Sequence, residues 1–232
     1  MKKIGLVGGL SYVSTLEYYR LINAMVRQEL GGHSSARLVI ESLDEREFLD
    51  KQKEDETEKA CEEMIVDAVG SLINADAEVI ALCANGLHRF EDAIREAHGI
   101  ELINIAEATA ATLSGQRIYQ AGLLGVKATM EGDFYKEKLL KYGVAPIIPD
   151  TSERNLVQEK IVSELVLNQF TLETKNEFYS IIEQLIDQGS QGIILGCTEI
   201  PLLITEPLWQ GVPLFSTTEI HCRAIVNSAL SL

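Results

Sequence analysis

Short apolar runs that read as strands alternate with helical stretches along almost the whole chain, and this confines the fold to the α/β class with parallel sheets. Strands are predicted at Lys3–Val7, Arg37–Ser42, Val79–Cys83, Glu101–Asn104, Gln120–Leu124, Ala145–Ile148, Gly192–Cys197 and Pro213–Phe215. Helices are predicted at Ser14–Leu30, Thr57–Asn74, Leu87–Ala97, Gly132–Tyr142, Asn155–Leu167 and Thr174–Gln188, with a last helix carrying His221 and Cys222. The apolar runs show little polar alternation, as expected of strands covered by helices on both faces.

The two halves echo each other. Ile4-Gly5-Leu6-Val7-Gly8-Gly9 is matched by Ala121-Gly122-Leu123-Leu124-Gly125-Val126, and Tyr18 by Tyr135 at the same offset of 117 residues. Cys83 and Cys197 lie 114 residues apart, nearly the same offset. Repetition in register predicts two similar lobes related by a pseudo-twofold, at 1–115 and 116–232. The seam is expected near Ser114–Tyr119, with the last helix free to pack back on the first lobe. No Pro/Gly/Ser-rich linker separates the halves, so close packing of the lobes is expected.

Both cysteines close an apolar run and precede small polar residues, in Val79-Ile80-Ala81-Leu82-Cys83-Ala84-Asn85-Gly86 and Ile193-Ile194-Leu195-Gly196-Cys197-Thr198-Glu199-Ile200. The carboxyl ends of parallel strands are where open α/β sheets bind ligands. Two thiols from such ends, facing each other across one inter-lobe cleft, suit moving a proton from one face of a carbon to the other. A following helix N-terminus is expected to lower each thiol pKa. A single strand-end cysteine is as readily a buried apolar residue. Two in corresponding strands make chemistry the better reading. Cys61, inside a helix, and Cys222, beside His221, are read as packing residues.

Asn85, Thr198 and Glu199 stand in the turns directly after the thiols, where amide, hydroxyl and backbone N–H groups can hold a carboxylate or cap a helix. Gly8-Gly9-Leu10-Ser11 opens the first helix and lets the backbone approach a small anion, but it matches neither the dinucleotide fingerprint nor a Walker A loop. His88 and His221 are read as structural or as supporting the site from behind. Cys83 and His88 alone do not make a zinc site. The charged segment Asp44–Lys59 is read as a solvated loop and helix start that could also cover the cleft.

The net charge of −15 opposes a nucleic-acid partner, because phosphate binding needs a basic face. The chain has 232 residues, 46% of them hydrophobic, and no run approaches the roughly 18 apolar residues of a membrane span. The start lacks the long apolar region of a secretory signal, so a cytoplasmic location with four free thiols is expected. Neither metal nor organic cofactor is called for.

These residues resemble the aspartate/glutamate racemase family, and the resemblance covers nearly the whole chain. It rests on Ile4-Gly5-Leu6-Val7-Gly8-Gly9-Leu10-Ser11 with Ser14-Thr15 and Tyr18-Tyr19-Arg20-Leu21-Ile22-Asn23, and on Cys83-Ala84-Asn85-Gly86-Leu87-His88. Thr129-Met130-Glu131 with Asp133-Phe134-Tyr135 continues it, and Gly196-Cys197-Thr198-Glu199-Ile200 is its most specific element. The resemblance implies two Rossmann-like lobes, a homodimer, and cofactor-independent racemisation of an amino acid without pyridoxal phosphate. It places the acid/base pair on Cys83 and Cys197. It places substrate contacts on Ser11, Gln52, Asn85 and Thr198, with Glu164 and Glu199 near the thiols.

The departures from the family pattern are informative. Ala84, Gly86 and Val126 stand where hydroxyl-bearing residues are usual. A lost hydrogen bond to a charged group costs about 1.5–3 kcal/mol, so two or three such losses weaken a dicarboxylate by orders of magnitude. The expectation is retained proton chemistry on an amino acid other than aspartate or glutamate. Two alternatives stand beside it: a related isomerase or decarboxylase using one cysteine as nucleophile or acid, and a degenerate protein that only binds an amino acid.

Overall fold

The computed structural model describes all residues, Met1 to Leu232. They gather into two compact units, Met1–Asn104 with His221–Leu232, and Ile105–Ile220. The division lies earlier in the chain than the seam expected near Ser114–Tyr119, and the end of the last helix groups with the first unit.

The first unit runs β1 (Ile4–Gly8), α1 (Tyr12–Leu30), β2 (Leu38–Ser42), α2 (Glu45–Glu54), α3 (Lys59–Asn74), β3 (Val79–Leu82), a 3-10 helix (Asn85–Phe90) and α4 (Glu91–His98). Its sheet has the order β2-β1-β3, parallel throughout. Central β1 is buried at every residue, so it needs apolar side chains on both faces. Ile4 and Leu6 point with Val79, Ala81 and Cys83 toward Tyr18 and Ile22 of α1. Val7 points with Ile80 and Leu82 toward Cys61, Ile65 and Leu72 of α3. Gly5 lets the α3 side close down: a Cβ there would stand 2.7 Å from Ala77 Cβ.

The second unit runs α5 (Ile105–Gly115), β4 (Gln120–Leu124), α6 (Lys127–Glu131), α7 (Asp133–Lys141), β5 (Ala145–Ile147), α8 (Thr151–Ser163), a 3-10 helix (Leu165–Leu167), α9 (Leu172–Asp187), β6 (Gly192–Leu195), α10 (Ile200–Leu203), β7 (Leu208–Trp209) and β8 (Val212–Ser216). The last helix, α11 (Thr217–Leu230), begins here and continues into the first unit, whose core takes Cys222, Ile225 and Val226. The strand order is β5-β4-β6-β8-β7. Its first three strands repeat the arrangement of β2-β1-β3. Gly122 repeats Gly5, since a Cβ would meet Ile193 Cδ1 at 2.6 Å and Leu185 Cδ1 of α9 at 3.0 Å.

Four features differ from the sequence reading. Glu101–Asn104 is not a strand: Ile103 N donates to Ile80 O at 3.0 Å, and the chain turns into α5 before a ladder can form. Asp44–Lys59 is largely helix rather than solvated loop. Asp44 caps α2 by accepting from Arg46 N at 2.8 Å, and Phe48 is buried against α3. The sheet of the second unit is not wholly parallel, because β7 pairs antiparallel with β8. Helix α5 has no predicted counterpart, because its small Ala and Thr residues blur the apolar periodicity.

Candidate active site

In the first unit the site candidates converge on the carboxyl ends of β1 and β3. Cys83 N donates to Val7 O at 2.9 Å, which keeps the residue in register with the sheet just past the last strand position. Ser14 Oγ of α1 donates to Cys83 O at 2.6 Å. Ser11 is the N-cap of α1, its Oγ accepting from Ser14 N at 3.3 Å. Thr15 locks the intervening turn: its Oγ1 accepts from Gly9 N at 2.8 Å and donates to Ser11 O at 3.0 Å. Gly9 has φ +91°, and a Cβ there would lie 2.1 Å from Leu43 O, so only glycine fits. Asn85, also buried, begins the 3-10 helix that follows Cys83.

In the second unit Cys197, Thr198 and Glu199 form one hydrogen-bonded group between β6 and α10. Cys197 Sγ donates to Glu199 Oε2 at 3.0 Å, and Thr198 Oγ1 donates to the same oxygen at 2.8 Å. All three residues are buried. The backbone bond that Cys83 makes to β1 is made here by Gly196 N to Leu124 O, at 2.6 Å. Cys197 therefore sits one residue beyond the position equivalent to Cys83. The shift carries each thiol to a different face of its own sheet. Cys83 lies on the α1 side, whereas Cys197 lies with Phe178, Ile182 and Leu185 of α9.

Both thiol pKa values are raised, contrary to the lowering expected from a helix N-terminus. Burial alone pushes Cys83 up, at 2% exposure. Burial is also the larger cause at Cys197, followed by the negative charge of Glu199 and its hydrogen bond to the thiol. The elements that follow the thiols are too slight to offset desolvation, a six-residue 3-10 helix and a four-residue α-helix.

The other expected contact residues have hydrogen-bond partners of their own. Gln52 on α2 donates through Nε2 to Glu58 Oε1 at 2.6 Å. Glu164 accepts from the Thr174 hydroxyl and from Lys160 Nζ at 3.0 Å, and these partners hold its carboxyl below the usual range. His221 donates from Nε2 to Ile103 O at 2.5 Å, so its Nδ1 accepts from Tyr18 OH at 2.7 Å. The His88 ring stands edge-on to His221, with centroids 5.3 Å apart. Both histidines are buried. No group of His, Cys, Asp and Glu side chains is arranged to hold a metal ion, and no helix is long and apolar enough to cross a membrane.

Two residues not singled out in the sequence, Glu58 and Arg89, bond to each other and to the turn after Cys83. Arg89 donates from Nε to Glu58 Oε2 and from Nη2 to Glu58 Oε1, both at 2.7 Å, and from Nη1 to Gly86 O. Nothing local in the sequence distinguishes either residue from the charged residues around it.

The fold and the strand-end cysteines define an α/β protein of two units with repeated topology. A profile of the Asp/Glu/Hydantoin racemase family matches residues 7–225. The chain belongs to this family. A crystal structure from Yersinia pestis, provisionally assigned as an Asp/Glu racemase, is 40% identical, with a TM-score of 0.89 and coverage of 99% of this chain and 100% of that one. An aspartate racemase homologue from Pyrococcus horikoshii is 30% identical, with a TM-score of 0.83 and the same coverage. A glutamate racemase of Hydrogenobaculum is 26% identical over 141 residues, 57% of this chain and 50% of that protein. Membership of the family supports a racemase-type function.

Proposed function

We propose that the protein is an amino-acid racemase, independent of pyridoxal phosphate, in which Cys83 and Cys197 serve as the acid/base pair at Cα. The observation that carries this is a buried cysteine within two residues of the end of the third strand of each unit, in a chain of this family. In the forward direction a thiolate removes the Cα proton from one face and becomes a thiol. The other cysteine delivers its thiol proton to the opposite face and becomes a thiolate, and the reverse direction exchanges the roles.

With raised pKa values both groups rest as neutral thiols, so one must be deprotonated before turnover. Glu199 is the acceptor placed for this at Cys197, through the 3.0 Å contact to Sγ. Cys83 lacks a carboxylate partner and is the proton donor of the resting protein. A bound substrate ammonium favours the thiolate further, since a nearby positive charge stabilises it.

The resemblance assigns substrate contact to Ser11, Gln52, Asn85, Thr198, Glu199 and Glu164. Ala84, Gly86 and Val126 in place of hydroxyl-bearing residues support a substrate other than aspartate or glutamate. On the resemblance alone the proposal extends to a homodimer, which sedimentation equilibrium tests, and the chain's free thiols extend it to a cytoplasmic location. The decisive experiment incubates the protein with each L- and D-amino acid in D₂O and reads deuterium at Cα. Exchange with at least one amino acid is expected, and it should vanish in Cys83→Ser and in Cys197→Ser. A single variant that racemises at the parental rate would refute the two-base scheme.

A further inference from the structure

We propose that Glu58 and Arg89 are positioning residues that fix the turn after Cys83 and set the orientation of the Gln52 amide, so that Gln52 meets a hydrogen-bond donor of the substrate. The part concerning substrate rests on the racemase reading; the part concerning the Cys83 turn does not.

The turn is intrinsically weak. The 3-10 helix Asn85–Phe90 is six residues long, has no side-chain N-cap bond, and starts two residues after Cys83. Such helices have poor hydrogen-bond geometry and rarely hold their shape unaided. Arg89 supplies the hold from within, donating to Gly86 O while stacking its guanidinium 4.3 Å over the Phe90 ring. Its two other donors grip both oxygens of Glu58, which lies at the start of α3 with φ 56°. The pair is mostly buried, with side-chain exposures of 17% and 29%. It ties the start of α3 to the Cys83 turn. Bonding to Arg89 holds the Glu58 carboxyl below its usual range, so the pair stays charged in neutral solution.

The same carboxylate then decides what Gln52 offers. Glu58 can only accept, so the Gln52 nitrogen must face it, as the 2.6 Å contact shows. The amide carbonyl is left as the group Gln52 presents to a ligand. A carbonyl accepts from an ammonium or hydroxyl and repels a carboxylate. Gln52 thus reads a donor group, and an amide free to flip would lose that discrimination. A lysine at position 89 cannot replace the fork, because one ammonium cannot grip both Glu58 oxygens and Gly86 O in fixed directions.

The test has two arms, run on the full chain at temperatures well below unfolding. In the first, iodoacetamide labelling is followed separately at the Cys83 and Cys197 peptides. Arg89→Met and Arg89→Lys should each speed labelling of Cys83 by about tenfold and leave Cys197 within twofold. An unchanged Cys83 rate, a parallel rise at Cys197, or wild-type behaviour in Arg89→Lys would overturn the positioning role. In the second arm, Cα exchange of the amino acid found active in D₂O is measured with Glu58→Gln and Gln52→Met. Each should raise KM by about tenfold; kcat should stay within twofold in Gln52→Met and should fall in Glu58→Gln, which also releases the turn that follows Cys83. A fall in kcat at constant KM would overturn the assignment of Gln52. If the wild-type protein exchanges no amino acid, the racemase reading fails, and the labelling arm still decides the role of Arg89.

Discussion

Replacing Glu199 by Gln separates two effects that the structure predicts in opposite directions. Glu199 Oε2 accepts from both Cys197 Sγ and Thr198 Oγ1, and its charge contributes to raising the thiol pKa. The amide keeps the shape and removes the charge. The Cys197 thiol should therefore ionise at lower pH, and its alkylation at a fixed near-neutral pH should accelerate. Turnover should fall all the same, because the amide cannot take the thiol proton. Losing a hydrogen bond to a charged group is worth about 1.5–3 kcal/mol, or about 10- to 150-fold in kcat/KM. The assay pairs the pH dependence of iodoacetamide labelling at the Cys197 peptide with deuterium uptake at substrate Cα. Labelling of Cys83 in the same digest is the internal control and should not change. A labelling midpoint that moves upward, or kcat/KM within twofold of wild type, would refute the assignment of Glu199 as proton acceptor.

Other predictions concern stability. Burial lowers the His221 pKa to about 4 from 6.5. The unfolded chain thus takes up a proton before the folded one, and stability is lost as pH falls through that window. The loss is about 3 kcal/mol between pH 7 and pH 4, read from urea midpoints, and His221→Gln should remove that share of the pH dependence. Because Tyr18, His88 and Ile103 O pack around the ring, the variant should also be less stable at pH 7. Gly9→Ala should cost about 4 kcal/mol, since its Cβ meets the Leu43 backbone and its φ is positive. Gly31→Ala, also at positive φ but with open space around it, should cost about 1 kcal/mol in the same denaturation assay. Equal losses for the two glycines would show that the Leu43 contact is not the limiting one.

Much of this protein was legible in the linear chain, because the residues concerned act through local pattern. The apolar runs marked β1, β3, β4 and β6, and the Gly5/Gly122 echo marked strands against which a helix lies close. The Cys83 and Cys197 segments declared themselves because a polar turn must follow a buried strand. Interactions between distant residues decided the rest. Ile103 reaches Ile80 with one bond instead of a ladder, a choice set by where α5 begins. Phe48 makes α2 part of the core although the surrounding charge suggests solvent. The one-residue offset between the cysteines depends on strand register, which appears only when Val7 pairs with Leu82 and Leu124 with Leu195. Burial, a property of the packed interior alone, reversed the expected direction of both thiol pKa values. The sequence by itself determined the class of fold and the strand ends at which Cys83 and Cys197 stand. Tertiary structure determined the faces on which those thiols lie, the direction of their pKa shifts, and the partnership of Glu58 with Arg89, because hydrogen bonds and desolvation act across distances in space that the chain order does not record.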